Sequence, residues 1–133
     1  MIHYKMYSDG GSRGNPGSAA VGFVIYDQND KEVFKTGKYL GKATNNTAEY
    51  MALYFGVLKL KSLNCTKVDL YLDSELVVKQ MLGKYQVKNV ELGKIKDKIV
   101  EALKGTEWTI NHIRREKNKV ADGLVNQVLD ANN

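Results

Sequence analysis

Four carboxylates, Asp9, Glu49, Asp73 and Asp122, are the residues of this chain best suited to chemistry. Asp9 stands at the head of a glycine-rich run in YSDGGSRGNPG (residues 7–17), Glu49 in TNNTAEYMAL, Asp73 in LYLDSELVVKQ and Asp122 in REKNKVADGLVN. None has a histidine or cysteine beside it. Carboxylate oxygens are hard ligands that suit Mg²⁺ or Mn²⁺. Four of them gathered at one place would repel one another strongly unless divalent cations filled the gap. Two such ions, roughly 3.5–4 Å apart, form the usual clamp for in-line displacement at phosphorus. Each acid also has a plain structural use. Glu49 and Asp122 in first helical turns would meet the helix dipole, Asp9 could accept N–H groups of a turn, and Asp73 could cap a following helix.

The chemistry therefore depends on elements that bring the four together. Residues 2–8 read as a strand that the glycine cluster ends, and residues 20–27 and 32–39 as two more, forming an antiparallel meander. Thr44, Asn45 and Asn46 offer capping groups to a helix with an apolar stripe at Ala48, Met51, Ala52, Phe55 and Leu58. Residues 67–72 form a strand, and 74–82 a helix with Gly83 just past its end. A lysine-rich amphipathic helix covers 90–103, the last strand 107–113, and the last helix 120–129 with Asn118 as its cap. The order βββ-α-β-α-α-β-α implies an α/β fold: a five-stranded mixed sheet, three antiparallel strands followed by parallel ones, with helices on both faces. Asp9 and Asp73 then end strands, while Glu49 and Asp122 start helices, all at the rim where α/β sheets bind ligands.

Bulk composition is consistent with this. The chain has 133 residues, 43% hydrophobic and 26% charged, which fits one domain spanning 1–133. A net charge of +5 leans toward a polyanionic partner. The single cysteine, Cys65, excludes an internal disulfide framework and points to a reducing, cytoplasmic setting. No apolar run approaches the roughly 18 residues of a membrane span, so no membrane partner is expected. The glycine run lacks the spacing of a Walker A loop and leads into a strand, unlike a dinucleotide-binding turn. Its glycines suit close backbone approach, with Gly10 and Gly11 clearing space for a sugar–phosphate strand beside Asp9. Asn15–Pro16–Gly17 is turn chemistry.

The motifs YSDGGSRGNPG, TNNTAEYMAL, LYLDSELVVKQ, VKNVEL and REKNKVADGLVN, in that order, resemble type I ribonuclease H over residues 4–128. The resemblance implies hydrolysis of the RNA strand of an RNA–DNA hybrid with two Mg²⁺ (or Mn²⁺) ions, leaving 5′-phosphate and 3′-hydroxyl ends. Asp9 would bridge the two metals, Glu49 and Asp73 would complete one site, and Asp122 the other. Thr44, Asn45 and Asn46 fall where the family contacts the strands in the minor groove. Asn89, with Thr44, matches a pocket for a DNA phosphate, and Glu75 falls where the family often has glutamine and a contact to RNA. Two departures follow. The basic helix that some members insert before VKN is missing, Gly83–Lys84–Tyr85–Gln86 joining the helices directly. The loop before the last helix is short and lacks the histidine of longer members. Arg115 stands where short-loop members place an arginine and is expected to assist catalysis. His112 shares strand parity with Trp108 and Ile110 and reads as structural, as does His3. The rival expectations are a nuclease of the same fold acting also on double-stranded RNA and a non-catalytic nucleic-acid-binding module. The working unit is expected to be a monomer.

Overall fold

A computed structural model describes residues 1–132. Five strands, β1 (His3–Gly14), β2 (Gly17–Asp27), β3 (Glu32–Ala43), β4 (Lys67–Leu72) and β5 (Glu107–His112), form one sheet in the order β3-β2-β1-β4-β5. β1, β2 and β3 are antiparallel neighbours, whereas β4 and β5 run parallel to β1. The helices are α1 (Asn45–Ser62), α2 (Glu75–Met81), α3 (Val90–Leu103) and α4 (Lys119–Ala131). The expected mixed sheet and element order are present. No helix among the described residues is long and apolar enough to cross a membrane.

The sheet divides its side chains by parity, as alternation requires. Met6 of β1, Phe23 and Ile25 of β2 and Val68, Leu70 and Leu72 of β4 join Leu53, Val57, Ile99 and Leu103 in the main core under α1 and α3. The opposite face packs Ala20 against Val125 and Leu129 of α4. That approach is close: a Cβ on Gly22 would lie 2.7 Å from the Ala121 carbonyl, so only glycine admits α4 here.

The glycine cluster does not end the first strand. β1 runs through it to Gly14, pairing Asp9 with Gly22 and Gly11 with Ala20. Only the parallel ladder to β4 stops early, at Ser8 opposite Leu72. Asp9 and Asp73 are thus each one step past the end of the same ladder, though Asp9 stays inside another. Glycine weakens strands in isolation, but pairing with β2 along its whole length carries β1 through the run. β3 likewise extends to Ala43, four residues beyond the expected end.

Candidate active site

The four carboxylates are delivered by four different elements. Thr44 caps α1 by accepting from the Thr47 N–H, so Asn45 and Asn46 lie inside the helix. Glu49 is consequently the fifth residue of α1 and not in its first turn, which removes the dipole explanation for it. Asp73 does not cap α2, because Ser74 does so by accepting from Val77 N–H. Asp122 lies in the first turn of α4, as expected.

Asp9, Glu49 and Asp73 converge, each offering an oxygen within 4.8 Å of the others. Asp9 is 9% exposed and Glu49 6%. The Gly10 N–H donates to Glu49 Oε1 at 2.5 Å, tying α1 to β1 beside Asp9. That contact requires glycine. A Cβ on Gly10 would stand 2.2 Å from the Ala48 carbonyl carbon and oxygen and 2.5 Å from the Glu49 nitrogen. The space expected for a substrate backbone is therefore filled by α1 at Gly10. At Gly11 a Cβ would meet Val125 at 3.4 Å, an ordinary contact.

Burial is the main cause that pushes Asp9 up to about 10, with Glu49, Asp73 and Asp122 adding repulsion. Burial also pushes Glu49 up to about 7, against the lowering effect of the Gly10 N–H. Without a cation Asp9 and Glu49 accordingly keep their protons well above the usual carboxylate range. This donor set, three crowded hard oxygens with no nitrogen or sulfur, fits Mg²⁺ or Mn²⁺, whose charge would displace those protons.

Asp122 lines the same cleft, of about 400 Å³, but stands outside the trio. Arg115 reaches it at 3.6 Å (Nη2 to Oδ1) from a single 3₁₀ turn, Arg115–Lys117. Asn126, one helical turn on, donates to its Oδ2 at 3.3 Å. The linked motifs do not single out Asn126, although its i,i+4 spacing from Asp122 is a usable signal. Ser12, Arg13 and Ser74 also line the cleft and were missed. Gly10, Gly11 and Asn45 line it as well.

Other expected contacts lie away from the acids. Glu75 begins α2 and is ion-paired to Lys79 at 2.9 Å, outside the cleft lining. Asn46 and Thr44 sit at the start of α1, outside that lining too. Asn89 caps α3, its Oδ1 accepting from Leu92 N–H at 3.1 Å, which leaves its amide NH₂ available to donate. Asn15 does more than turn the chain, since its Oδ1 accepts from the Asn45 N–H and ties the β1–β2 hairpin to α1. The expected capping of α4 by Asn118 is absent: the Asn118 side chain makes no cap bond and turns inward. His112 is exposed, and His3 pairs with Asp69 at 2.9 Å.

Comparison with known proteins agrees with this arrangement. The family model described as reverse transcriptase-like matches residues 7–128. Ribonuclease HI of Halobacterium salinarum is 39% identical over 93% of this chain, which spans 63% of that relative's length. A crystal structure of RNase H1 from that archaeon superposes with a TM-score of 0.94, covering 97% of this chain and 98% of that one at 38% identity. A bifunctional protein of Mycobacterium tuberculosis is 39% identical over 93% of this chain, which spans only 35% of it. LC11-RNase H1, solved in complex with an RNA/DNA hybrid, gives a TM-score of 0.91 at 38% identity, covering 96% of this chain and 97% of that one. With the carboxylates where the motifs put them and the match running almost end to end, this chain belongs to the type I ribonuclease H family.

Proposed function

We propose that this chain hydrolyses the RNA strand of RNA–DNA hybrids with two divalent ions, Mg²⁺ or Mn²⁺. The observation that carries the proposal is the convergence of Asp9, Glu49 and Asp73 within 4.8 Å, the first two buried, with Asp122 on the same cleft. A binding module gains nothing from such a cluster, because its carboxylates repel phosphates. The hybrid bound to LC11-RNase H1 supports the choice of substrate. All four acids come from one chain, so the reading needs no second copy.

Asp9 would be held by both ions, Glu49 and Asp73 by one, and Asp122 by the other. The chemistry such ions supply when bound is activation of water and stabilisation of the leaving 3′ oxygen, giving 5′-phosphate and 3′-hydroxyl ends. The chain's own residues prepare for this. Gly10 N–H orients the Glu49 carboxylate, and the walls of β1 and α1 keep bulk water from Asp9. Arg115, 79% exposed, can swing between Asp122 and a phosphate at the cleft mouth. Asn45 is on the cleft, and Thr44, Asn46, Glu75 and Asn89 lie at the starts of α1, α2 and α3, from which they would meet the strands. The RNA 2′-hydroxyl is the group by which such contacts would tell RNA from DNA.

The test is cleavage of a 5′-labelled RNA–DNA hybrid beside RNA and DNA duplexes of the same sequence, with Mg²⁺ or Mn²⁺. Wild type is expected to cut the RNA of the hybrid and Asp73→Asn to leave it intact. Cutting that persists in excess EDTA would sink the proposal, and equal cutting of duplex RNA would widen the substrate class.

A further inference from the structure

Asn118 occupies the N-cap position of α4, where asparagine normally accepts an N–H from the first turn. It makes no such bond. Its side chain is 1% exposed, and its Nδ2 instead donates to the Ser8 carbonyl at 2.9 Å, 110 residues away in the chain. Ser8 is the last β1 residue paired with β4, so the amide donates at the point where that ladder stops. The main chain completes the link, since Asp122 N–H donates to the Asn118 carbonyl at 3.0 Å. Two hydrogen bonds therefore run from Asp122, through Asn118, to the residue preceding Asp9.

As a stabilising device this arrangement is poor. The N-cap bond that would stabilise the first turn is forgone. Asn118 Oδ1 and Ser8 Oγ are both buried without a hydrogen-bond partner, and an unsatisfied buried polar atom costs more than one neutral hydrogen bond returns. The geometry fixes position at the expense of stability, and the position it fixes is that of the first turn of α4 relative to β1.

We infer that Asn118 is a positioning residue, whose carboxamide fixes where Asp122 stands relative to Asp9, the two acids that would share a divalent cation. The inference rests on the metal-dependent reading of this site. It assigns Asn118 no contact with metal or substrate, and acts through Asp122 alone.

Asn118→Ser separates positioning from capping. Serine is a good N-cap and restores the missing helix bond, but it is too short to reach Ser8 and cannot repeat the amide's donation. Mn²⁺ binding measured by calorimetry on the whole chain, without nucleic acid, is the primary readout, with Asp122→Asn defining the uptake that depends on Asp122. In Asn118→Ser that uptake is expected to weaken about tenfold, within the range seen when a metal ligand loses its supporting hydrogen bond. The thermal midpoint should hold or rise, KM for a hybrid should stay within twofold, and raised Mn²⁺ should recover kcat. Asn118→Asp, which keeps the size and loses the donor, should behave like serine in the titration. Unchanged Mn²⁺ titrations in both variants, or no uptake that depends on Asp122, would overturn the inference. Wild type that binds Mn²⁺ yet cuts no hybrid would overturn the substrate assignment instead and leave the role of Asn118 standing.

Discussion

Three of the four acids are built as one tight cluster, two of them buried, and the fourth stands apart. Asp9, Glu49 and Asp73 lie within 4.8 Å of one another, pressed between β1, α1 and the end of β4. Asp122 keeps 30% of its side chain exposed and has Arg115 and Asn126 for neighbours. The difference teaches how one cleft can hold like charges. Burial raises the proton affinity of Asp9 and Glu49, which therefore hold protons or take up cations. Asp122 instead lies where solvent and the Arg115 guanidinium screen its charge.

Breaking the trio at its centre should have the largest effect. Asp9→Asn is expected to lower hybrid cleavage by at least about 10³-fold, since a bridging ligand for both ions is lost. It should also raise the thermal midpoint of the metal-free protein at pH 8, because the amide has no proton to retain that the unfolded chain would release. Asp122→Asn should show no such gain in stability. Equal gains in both variants, measured by thermal melts in EDTA, would erase the distinction between trio and fourth acid.

The trio can also be broken without touching an acid. Gly10→Ala would drive a methyl group into the α1 backbone at Ala48 and Glu49, where no side chain can yield. A cost of about 2–4 kcal/mol is expected, typical of overpacking with backbone displacement. The shift would carry Glu49 away from Asp9. Gly11→Ala meets only the tip of Val125 at 3.4 Å and should cost less than about 1 kcal/mol. Urea denaturation of the two variants side by side checks the ordering.

Proton linkage sharpens the comparison further. Asp9 pushed up to about 10 and Glu49 up to about 7 hold protons in the native state that the unfolded chain releases near pH 4. The native state thus binds more protons than the unfolded one above that pH, and ∂ΔG/∂pH of unfolding is negative. Metal-free protein is expected to lose stability from about pH 4 through 7 and on toward 10. The slope is at most about 1.4 kcal/mol per pH unit for each retained proton. Asp9→Asn should flatten the slope and Mn²⁺ should reverse it, as the ions replace the protons. Melting temperatures between pH 5 and 9 that are flat or rising in EDTA would contradict the cause assigned here.

Much of this was legible in the sequence, and what escaped has a common physical reason. The order of elements, the mixed sheet and the four acids follow from alternation, helical stripes and linked motifs, which are local in the chain. Gly10 was legible as a residue chosen for close approach, but the approaching backbone, α1, lies 38 residues away and no local pattern names it. Asn118 was read as a cap because position and residue type both fit one. Its diversion to Ser8 depends on α4 docking against β1, a contact across 110 residues. Glu49 was placed a turn too early because Asn45 and Asn46 are themselves capping residue types, and only Thr44 turned out to be the cap.

The smallest expected effect belongs to Arg115. Its guanidinium is 79% exposed and 3.6 Å from Asp122, a geometry that contributes less than about 0.5 kcal/mol after screening and side-chain entropy. Arg115→Ala should therefore leave the melting temperature within error. A role in turnover would appear elsewhere, as a several-fold fall in kcat for the hybrid, with Mn²⁺ affinity unchanged because the trio is intact. Arg115→Lys keeps the charge but loses the planar fork. Partial recovery of kcat by lysine would point to charge at the cleft mouth, and full loss to a shaped contact with phosphate. A variant whose kcat matches wild type would confine Arg115 to the solvated rim, and the chemistry would then rest on the carboxylates alone.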